Sequence, residues 1–222
     1  ISHDLRTPLT AISGNAENVL MNYETLDADM REQIFKEIFD DSQWLIGIVE
    51  NLLSVTRIEE GRMNFNMSIQ LMDEVISEAL AHIRQERNKH DIKVYCEDEL
   101  LLAKMDAKLI VQVIINLVDN AIKYTPYGTS IRIVAKKESK AVAVSVIDNG
   151  PGIPKEIKPR VFDMSYIGEN KVADSRRSLG LGLALCKSII NAHGGEITLT
   201  DNQPQGCNFT FMLPLEEVRI DE

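Results

Sequence analysis

Apolar residues recur with a helical period through the first sixty residues of the chain. From Ile1 to about Tyr23 they are spaced three or four positions apart, which predicts an amphipathic helix with one apolar side: Leu5, Leu9, Ile12, Ala16, Val19 and Leu20. Pro8 lies within this helix, where it is expected to bend the axis or remove one backbone hydrogen bond. The polar segment from Tyr23 to Asp29 ends the helix.

A second, longer helix is predicted from about Ala28 to Glu60, with Gly61 as its C-terminal cap. Its apolar positions alternate steps of four and three and so form a heptad seam with one polar member: Ile34, Ile38, Asp41, Leu45, Ile48, Leu52 and Val55. Two such helices cannot bury their faces alone, so a homodimeric four-helix bundle is expected. A helical hairpin docked on the rest of the same chain is the alternative. Asp41 either sets the register of the bundle or lies where the bundle is wet.

The period changes after Arg62. Met63, Phe65 and Met67 alternate as in a strand, and Leu71 to about Arg87 is helical. Two runs, Ile92 to Cys96 and Leu100 to Lys104, predict a pair of strands, and Asp106 is positioned to cap the helix that follows. Four further strands are predicted at Ser130 to Lys137, Ala141 to Ile147, Glu196 to Thr200 and Asn208 to Leu213.

Helices that fall between strands predict an α/β sandwich, with the helices on one face of a mixed sheet. The chain is therefore predicted to have an α plus α/β class: a helical hairpin in residues 1–61, followed by an α/β domain in residues 62–222.

The helix after Asp106 carries the first candidate site. Asn116, Asn120 and Lys123 share one side of it, because residues three or four apart lie on the same helix face. Two amide oxygens and an ammonium suit a nucleotide whose phosphates hold Mg²⁺, with Asn120 as the first choice of metal ligand and Asn116 as the second. Tyr124 either borders an adenine ring or is a core tyrosine.

Two glycine-rich segments complete the candidate site. Asp148 follows a strand-like run and precedes Gly150 and Gly152, so that its carboxylate can accept a hydrogen bond from an exocyclic amine while the glycines leave room for a flat ring. Gly180 and Gly182 open the apolar helix that runs from Leu181 to Ala192, where free backbone N–H groups attract phosphate.

In this order and spacing, these residues resemble the N, G1 and G2 boxes of the ATP-binding domain of sensor histidine kinases. The segment Ile1 to Leu9 looks like the phospho-accepting H box of the same family. The resemblance implies a Bergerat-type ATP-binding fold, a dimerising phosphotransfer domain, ATP and Mg²⁺ as ligands, and the receiver domain of a response regulator as partner. The run after Ala173 most resembles the Kdp-type, potassium-responsive kinases.

The resemblance also assigns roles to residues. His3 is the expected nucleophile, attacking through Nε2, and Asp4 is expected to orient the ring and accept the Nδ1 proton. Thr7, one turn later, either orients water for dephosphorylation of the regulator or packs before Pro8. His82, His90 and His193 lie outside the motifs and are expected to have structural or surface roles.

The segment from Gly152 to Leu179 is expected to form the lid over ATP, since long loops within compact domains are usually functional. Arg176 or Arg177 is expected to approach the γ-phosphate, and the sequence does not choose between them. The segment departs from the family in two places. Residues 163–166 alter the usual second aromatic motif after Phe162, and Ser178 stands at the first glycine of the G2 box.

Composition and charge bear on the possible ligands, the state of the cysteines and the cellular location. A net charge of −10 disfavours nucleic-acid binding. The three cysteines match neither a disulfide framework nor a zinc pattern, so buried thiols in a reducing compartment are expected. No apolar run approaches the roughly 20 residues of a membrane span. The chain is interpreted as a cytoplasmic fragment without its upstream sensor domain, from a parent expected in the bacterial cell membrane.

Three functions remain in competition. The first is an ATP-dependent protein-histidine kinase that passes its phosphoryl group to a regulator aspartate, and that also acts as a regulator phosphatase in some members of the family. The second is an ATPase machine driven by nucleotide binding, which His3 and Asp4 at the head of a bundle helix disfavour. The third is a pseudokinase scaffold, against which the intact Asn120, Asp148 and His3 argue.

Overall fold

A computed structural model describes residues 2–83, 90–98, 100–164 and 181–215, and of residues 2–4 it describes the backbone only. The chain divides into two compact units, Ile1–Ser54 and Val55–Glu222. Among the described residues, none of the helices combines the length and the apolar character needed to cross a bilayer.

The first unit is built from two helices. Helix α1 spans Ser2–Asn22 with Pro8 inside it, and α2 begins at Ala28 and continues to Glu59. The start of α2 is capped by Asp27, whose Oδ1 accepts from the Met30 N–H at 2.7 Å. Asn15 Nδ2 of α1 donates to Glu37 Oε2 of α2 at 3.2 Å. Both predicted helices are confirmed.

The end of α2 has the geometry of a glycine cap. Gly61 adopts a φ of +65°, its N–H donates to Ile58 O at 3.0 Å, and the Arg62 N–H donates to Arg57 O at 2.9 Å. This pair of hydrogen bonds is the Schellman motif, which requires a left-handed residue at the position that Gly61 occupies. The predicted cap is confirmed.

Many large apolar side chains of the first unit are exposed in the single chain. Val19 and Ile48 are buried, but Leu9 and Leu20 of the predicted apolar side of α1 are 56% and 82% exposed. Further exposed apolar residues of this unit are Met21, Tyr23, Met30, Phe35, Phe39, Ile46, Val49 and Leu53. These exposed side chains leave apolar surface on the first unit available to a partner.

The second unit contains a five-stranded sheet in the order β2-β4-β5-β7-β6. Strand β2 (Asp91–Cys96) is parallel to β4 (Ser130–Glu138), and the other neighbours are antiparallel. The remaining strands of this sheet are β5 (Ala141–Asp148), β6 (Glu196–Asp201) and β7 (Cys207–Pro214). A separate two-stranded sheet pairs β1 (Ser68–Leu71) with β3 (Leu102–Met105).

Three helices cover one face of the five-stranded sheet: α3 (Met72–His82), α4 (Ala107–Tyr124) and α5 (Leu181–Ala192). Alternate residues of β4 and β5, such as Ile133 and Val144, join these helices in one hydrophobic core. The opposite face carries polar residues, including Ser145 and Thr210, whose hydroxyl oxygens are 2.8 Å apart. The α/β sandwich with helices on one face is confirmed.

One strand prediction is wrong, and two are confirmed with partners that the sequence did not identify. Met63, Phe65 and Met67 belong to a segment without ladder pairing, and β1 begins only at Ser68. The runs around Cys96 and Leu102 do form strands, but they pair with β4 and β1 instead of with each other. The predicted helix from Leu71 begins at Met72 and is described as far as His82.

Candidate nucleotide-binding site

Asp148 ends the central strand β5 and is 5% exposed. Its Oδ1 accepts two backbone hydrogen bonds, from Gly150 N at 2.8 Å and from Cys207 N at 3.2 Å. Burial raises the pKa of this carboxyl, and the two backbone donors partly oppose that shift. Within the described part of the chain no group donates to Oδ2. This oxygen is therefore suited to accept a hydrogen bond from an exocyclic amine.

The turn after Asp148 passes close to the end of α4. A Cβ on Gly150 would collide with Thr125 Cγ2, so this position excludes any larger residue. Gly152 adopts a φ of +79°, a conformation that favours glycine. The sequence motif around Asp148 and the helix that carries Asn120 are thus brought together by the Thr125–Gly150 contact.

The β6–β7 connection packs against this turn. Its part in the site was not predicted from the sequence. A Cβ on Gly206 would collide with the backbone of Asp148 and Asn149, and Gly206 has a φ of +117°. Asn202 Nδ2 donates to Asp148 O at 2.8 Å, while its own N–H donates to Gly206 O at 3.0 Å. The Asn202 side chain and the Gly206 backbone therefore both restrain the backbone of Asp148. The Gly206-Cys207 pair before a strand was the available signal.

Asn116 and Asn120 differ in what their amides already do. Asn116 Oδ1 accepts from Gln112 Nε2 at 3.2 Å, and its buried Nδ2 has no hydrogen-bond partner among the described residues. An unpaired N–H suits a phosphate or ribose oxygen better than a cation. Asn120 is partly exposed one turn later on α4. Of the two amide oxygens, that of Asn120 is therefore the better suited to Mg²⁺, and its assignment as metal ligand stays a prediction.

The G2 motif lies beside Asn116. Gly182 is in the first turn of α5, and the Asn116 side chain would lie 3.8–4.0 Å from a Cβ at that position. Leu181 is 3% exposed, so only its backbone faces a ligand at the helix start. The first turn of a helix favours phosphate through its N–H groups. Gly180, Arg176 and Arg177 lie outside the described residues.

Lys123 and Tyr124 end α4 near solvent. The Lys123 Nζ lies 5.7 Å from the centre of the Tyr124 ring, and Tyr124 is 57% exposed. Such exposure disfavours the alternative of a core tyrosine. No group of three or more His, Cys, Asp or Glu residues arranged to hold a metal ion is found in the described ranges.

Family comparison extends these observations across the chain. Residues 105–217 match the family of histidine kinase-, DNA gyrase B- and HSP90-like ATPases. Residues 1–61 match the His Kinase A (phospho-acceptor) domain. This chain belongs to the histidine kinases.

Individual relatives agree with this assignment. The chain is 42% identical to the sensor protein KdpD of Clostridium acetobutylicum over 97% of its own length, but it spans only 24% of that protein. The structure of the Acinetobacter baumannii histidine kinase AdeS is 25% identical, with a TM-score of 0.78, over 97% of this chain and 98% of AdeS. The histidine kinase ThkA, solved in complex with the response regulator protein TrrA, is 28% identical with a TM-score of 0.73, over 97% of this chain and 60% of ThkA.

Residues 1–61, which match the phospho-acceptor domain, contain the predicted nucleophile His3. His3 and Asp4 lie in the first turn of α1, and their side chains are outside the described part. Thr7 is exposed on the next turn, while Pro8 is buried. His193, in contrast, is a structural residue: its Nε2 accepts from Asp106 N at 3.0 Å, and its Nδ1 lies 2.8 Å from Ile189 O.

The three thiols of the kinase are free. Cys186 and Cys207 are buried, and burial raises the pKa of each to about 12. Cys96 is only partly buried, with its pKa raised to about 11 by burial and by Asp73. Thiols with such high pKa values are poor nucleophiles at neutral pH.

Proposed function

We propose that this chain is the catalytic core of a sensor histidine kinase, which transfers the γ-phosphoryl group of ATP to His3 and then to an aspartate of a response regulator. The observation that carries the proposal is the fixed carboxylate of Asp148. Its Oδ1 is held by two backbone N–H groups, and its Oδ2 remains available for the adenine amine. The same chain carries a phospho-acceptor domain with a histidine in its first helical turn.

The proposed nucleotide pose follows from the groups around Asp148. Gly150 and Gly152 leave room for the ring, and Tyr124 borders it. The backbone of Gly180, Leu181 and Gly182 donates to the phosphates. Lys123 neutralises phosphate oxygens, with Arg176 or Arg177 as the second cation. Asn120 holds Mg²⁺, with Asn116 as the less favoured ligand. Mg²⁺ supplies charge neutralisation on the phosphates.

In the proposed phosphoryl transfer, the lone pair of His3 Nε2 forms the bond to the γ-phosphorus, and the bond from that phosphorus to the bridging oxygen breaks. ADP leaves with those electrons. The ring then carries an extra positive charge, which is relieved when Asp4 accepts the Nδ1 proton. In the proposed phosphotransfer, a carboxylate oxygen of the regulator forms a bond to the phosphorus, the bond from phosphorus to His3 Nε2 breaks, and its electron pair returns to the histidine ring.

A response regulator is the proposed partner. ThkA, of similar fold, was solved with the response regulator protein TrrA. The identity to KdpD of Clostridium acetobutylicum supports a Kdp-type kinase. The proposed full-length protein is anchored in the bacterial membrane, with the residues of this chain on the cytoplasmic side. Thr7, exposed on α1, is the proposed residue for a regulator phosphatase activity. The proposed domains are residues 1–61 and 62–222.

A homodimer is proposed because of the apolar surface on the two helices of the first unit. Ile46, Val49 and Leu53 of α2 are each nearly half exposed in the single chain. We expect Val49→Arg to shift the chain from dimer to monomer in sedimentation velocity, because a charge would be buried in the bundle. Glu50→Arg at the neighbouring exposed position is the matched control. A monomeric wild-type chain at all concentrations would contradict the proposal.

Acid-labile labelling tests the kinase function directly. The chain is incubated with γ-labelled ATP and Mg²⁺, and the label is tested for loss in acid and retention in base. His3→Gln and Asn120→Ala are expected to abolish the label. His82→Gln and Asn191→Ala, at exposed helix positions, are matched controls that keep it.

The outcomes of this experiment distinguish the competing functions. Acid-labile label lost in both site variants supports the kinase. ATP hydrolysis without labelled protein would favour an ATPase machine. ATP binding with neither label nor hydrolysis, in the chain extended upstream, would favour a pseudokinase scaffold.

A further inference from the structure

His90 is a buried histidine that lies outside every motif of the proposed site. It is 7% exposed and precedes β2. Its Nε2 lies 3.2 Å from Thr125 Oγ1, and its Nδ1 is buried without a hydrogen-bond partner among the described residues. The edge of its ring faces Tyr127, with the ring centres 6.2 Å apart. From the sequence, only a structural or surface role is expected for it.

The hydrogen bonds of Thr125 fix the direction of the His90 contact. The Thr125 hydroxyl lies 2.6 Å from Ala121 O, to which it donates its only proton. The same oxygen can therefore only accept from His90, so that Nε2 carries the proton. Nδ1 is then the unprotonated nitrogen. His90 thereby restrains the rotation of the Thr125 side chain.

The methyl group of Thr125 contacts the turn from Asp148 to Gly152, which is called the base-reading turn below. Its Cγ2 occupies the space that a Cβ on Gly150 would need. The Gly150 N–H in turn donates to Asp148 Oδ1 at 2.8 Å. A continuous path of contacts therefore connects the ring of His90 with the carboxylate proposed to read the adenine amine.

We propose that His90 and Thr125 are positioning residues for base recognition: the His90–Thr125 hydrogen bond sets the Thr125 methyl against Gly150 and so fixes the turn that orients Asp148. This inference rests on the proposed function, because it concerns the same nucleotide site. In this arrangement neither residue needs to contact the nucleotide. Their effect is on the position of Asp148 Oδ2 relative to the C6 amine.

The variants are chosen to separate positioning from stability. Thr125→Val keeps the shape of the side chain and removes its hydroxyl, which accepts from His90 and donates to Ala121 O. His90→Phe keeps a ring beside Tyr127 and removes both the donor and the unpaired Nδ1, so its melting temperature is expected to be unchanged or raised. His90→Gln retains an N–H donor and is the conservative variant. His82→Phe, on the exposed side of α3, is the matched control.

The measured quantity is discrimination for the amine. Calorimetry on the whole chain gives Kd for ADP and for the diphosphate of purine riboside, which lacks only the amine at C6. The wild-type chain and His82→Phe are expected to prefer ADP. The preference is expected to fall about fivefold in His90→Phe and in Thr125→Val, as for the loss of about one hydrogen bond. His90→Gln is expected to retain most of it, and Asp148→Asn to lose it.

The possible results separate the two proposals. If the wild-type chain does not bind ADP, or binds both nucleotides equally, the proposed base recognition fails. If it prefers ADP and the folded Thr125→Val and His90→Phe variants keep that preference, the positioning role is overturned while the proposed function stands. Reduced preference with an unchanged melting temperature supports the role, because a purely structural residue would lower stability and leave the ratio unchanged. If His90→Phe does not fold, Thr125→Val decides alone.

Discussion

At the scale of single residues, Asp148 combines a functional carboxylate with an unfavourable burial. Its folded pKa is raised above the ordinary value of 3.8, mainly because burial disfavours the charged form. The stability this group contributes is therefore fully present below pH 3.8 and is lost as the pH rises through its folded pKa. Near neutral pH the carboxylate favours ligand binding at the expense of stability.

Asp148→Asn is expected to remove that penalty and the function together. The Asn Oδ1 can still accept from Gly150 and Cys207. The free energy of unfolding in urea should therefore increase for the variant relative to the wild-type chain as the pH rises to the folded pKa of Asp148. Above that pH the difference between the two should stay constant. ADP affinity should fall about tenfold or more, since an amide N–H would face the adenine amine. A pH-independent difference in unfolding free energy would contradict the role of burial.

Gly206, in the β6–β7 connection, is expected to be harder to replace than a glycine of positive φ with open space around it. Alanine there would meet the backbone of Asp148 and would require a φ of +117°, so Gly206→Ala should destabilise the domain by more than about 2 kcal/mol and weaken ADP binding. Gly128→Ala is the matched control: its φ is +84° and nothing lies within 4 Å, so only conformational strain of about 1 kcal/mol applies. Equal losses in urea denaturation would show that the backbone contact with Asp148 is unimportant.

The site residues that the sequence predicted differ in kind from those it missed. Asp148, Gly150 and Gly152 are contiguous, and the chemistry of a carboxylate beside glycines can be read locally. Asn202, Gly206 and Thr125 act through contacts with residues 25 to 58 positions away. Such contacts depend on how the strands pair and where loops meet, which no local pattern encodes.

At the scale of elements, the 3₁₀ turn Lys158–Arg160 is tied to the end of β6. Lys158 Nζ forms an ion pair with Asp201 Oδ1, and the Lys158 side chain is 17% exposed. Asp201 precedes Asn202, which holds the backbone carbonyl of Asp148. The ion pair therefore connects the segment after Gly152 with the loop behind the base-reading turn.

Charge reversal tests this connection. Lys158→Asp and Asp201→Lys alone are each expected to weaken ADP binding about threefold, and the double variant to restore it, because a partly exposed pair contributes up to about 1 kcal/mol. Lys155→Asp, exposed on the same segment, is the control for net charge. Calorimetry at low and high salt gives the coupling. Additive effects of the two single variants would show that the pair does not connect these elements.

The incorrect strand prediction at Met63 to Met67 has a physical origin. Met63, Phe65 and Met67 alternate because an extended segment has one side on the protein, and not because it pairs in a sheet: Phe65 packs edge-on against His193, and the Asn66 N–H donates to Asp106 Oδ2. Alternation reports burial of one side of an extended chain. The partner of a strand is a separate property, as the parallel pairing of β2 with β4 shows. Helices were predicted more reliably because their hydrogen bonds are internal.

At the scale of the whole molecule, the order of patterns along the chain was sufficient to predict a helical hairpin followed by an α/β sandwich. The boundary between them is less determined by sequence, because α2 has the same heptad pattern on both sides of it. The second compact unit begins at Val55, within α2. Val55 is fully buried in the core of that unit, and Ile58 packs against the same core.

Two fragments test where the ATP-binding domain begins as a folding unit. Residues 55–222 are expected to be more stable in urea than residues 62–222 by about 2 kcal/mol, because the shorter fragment loses the burial of Val55 and the partial burial of Ile58. Both should bind ADP equally, since every residue assigned to the nucleotide site, together with His90, follows residue 62. Val55→Ala in the longer fragment should reproduce most of the loss. Equal stability of the two fragments would instead place the start of the domain at residue 62, because the last turns of α2 would then add nothing to its core.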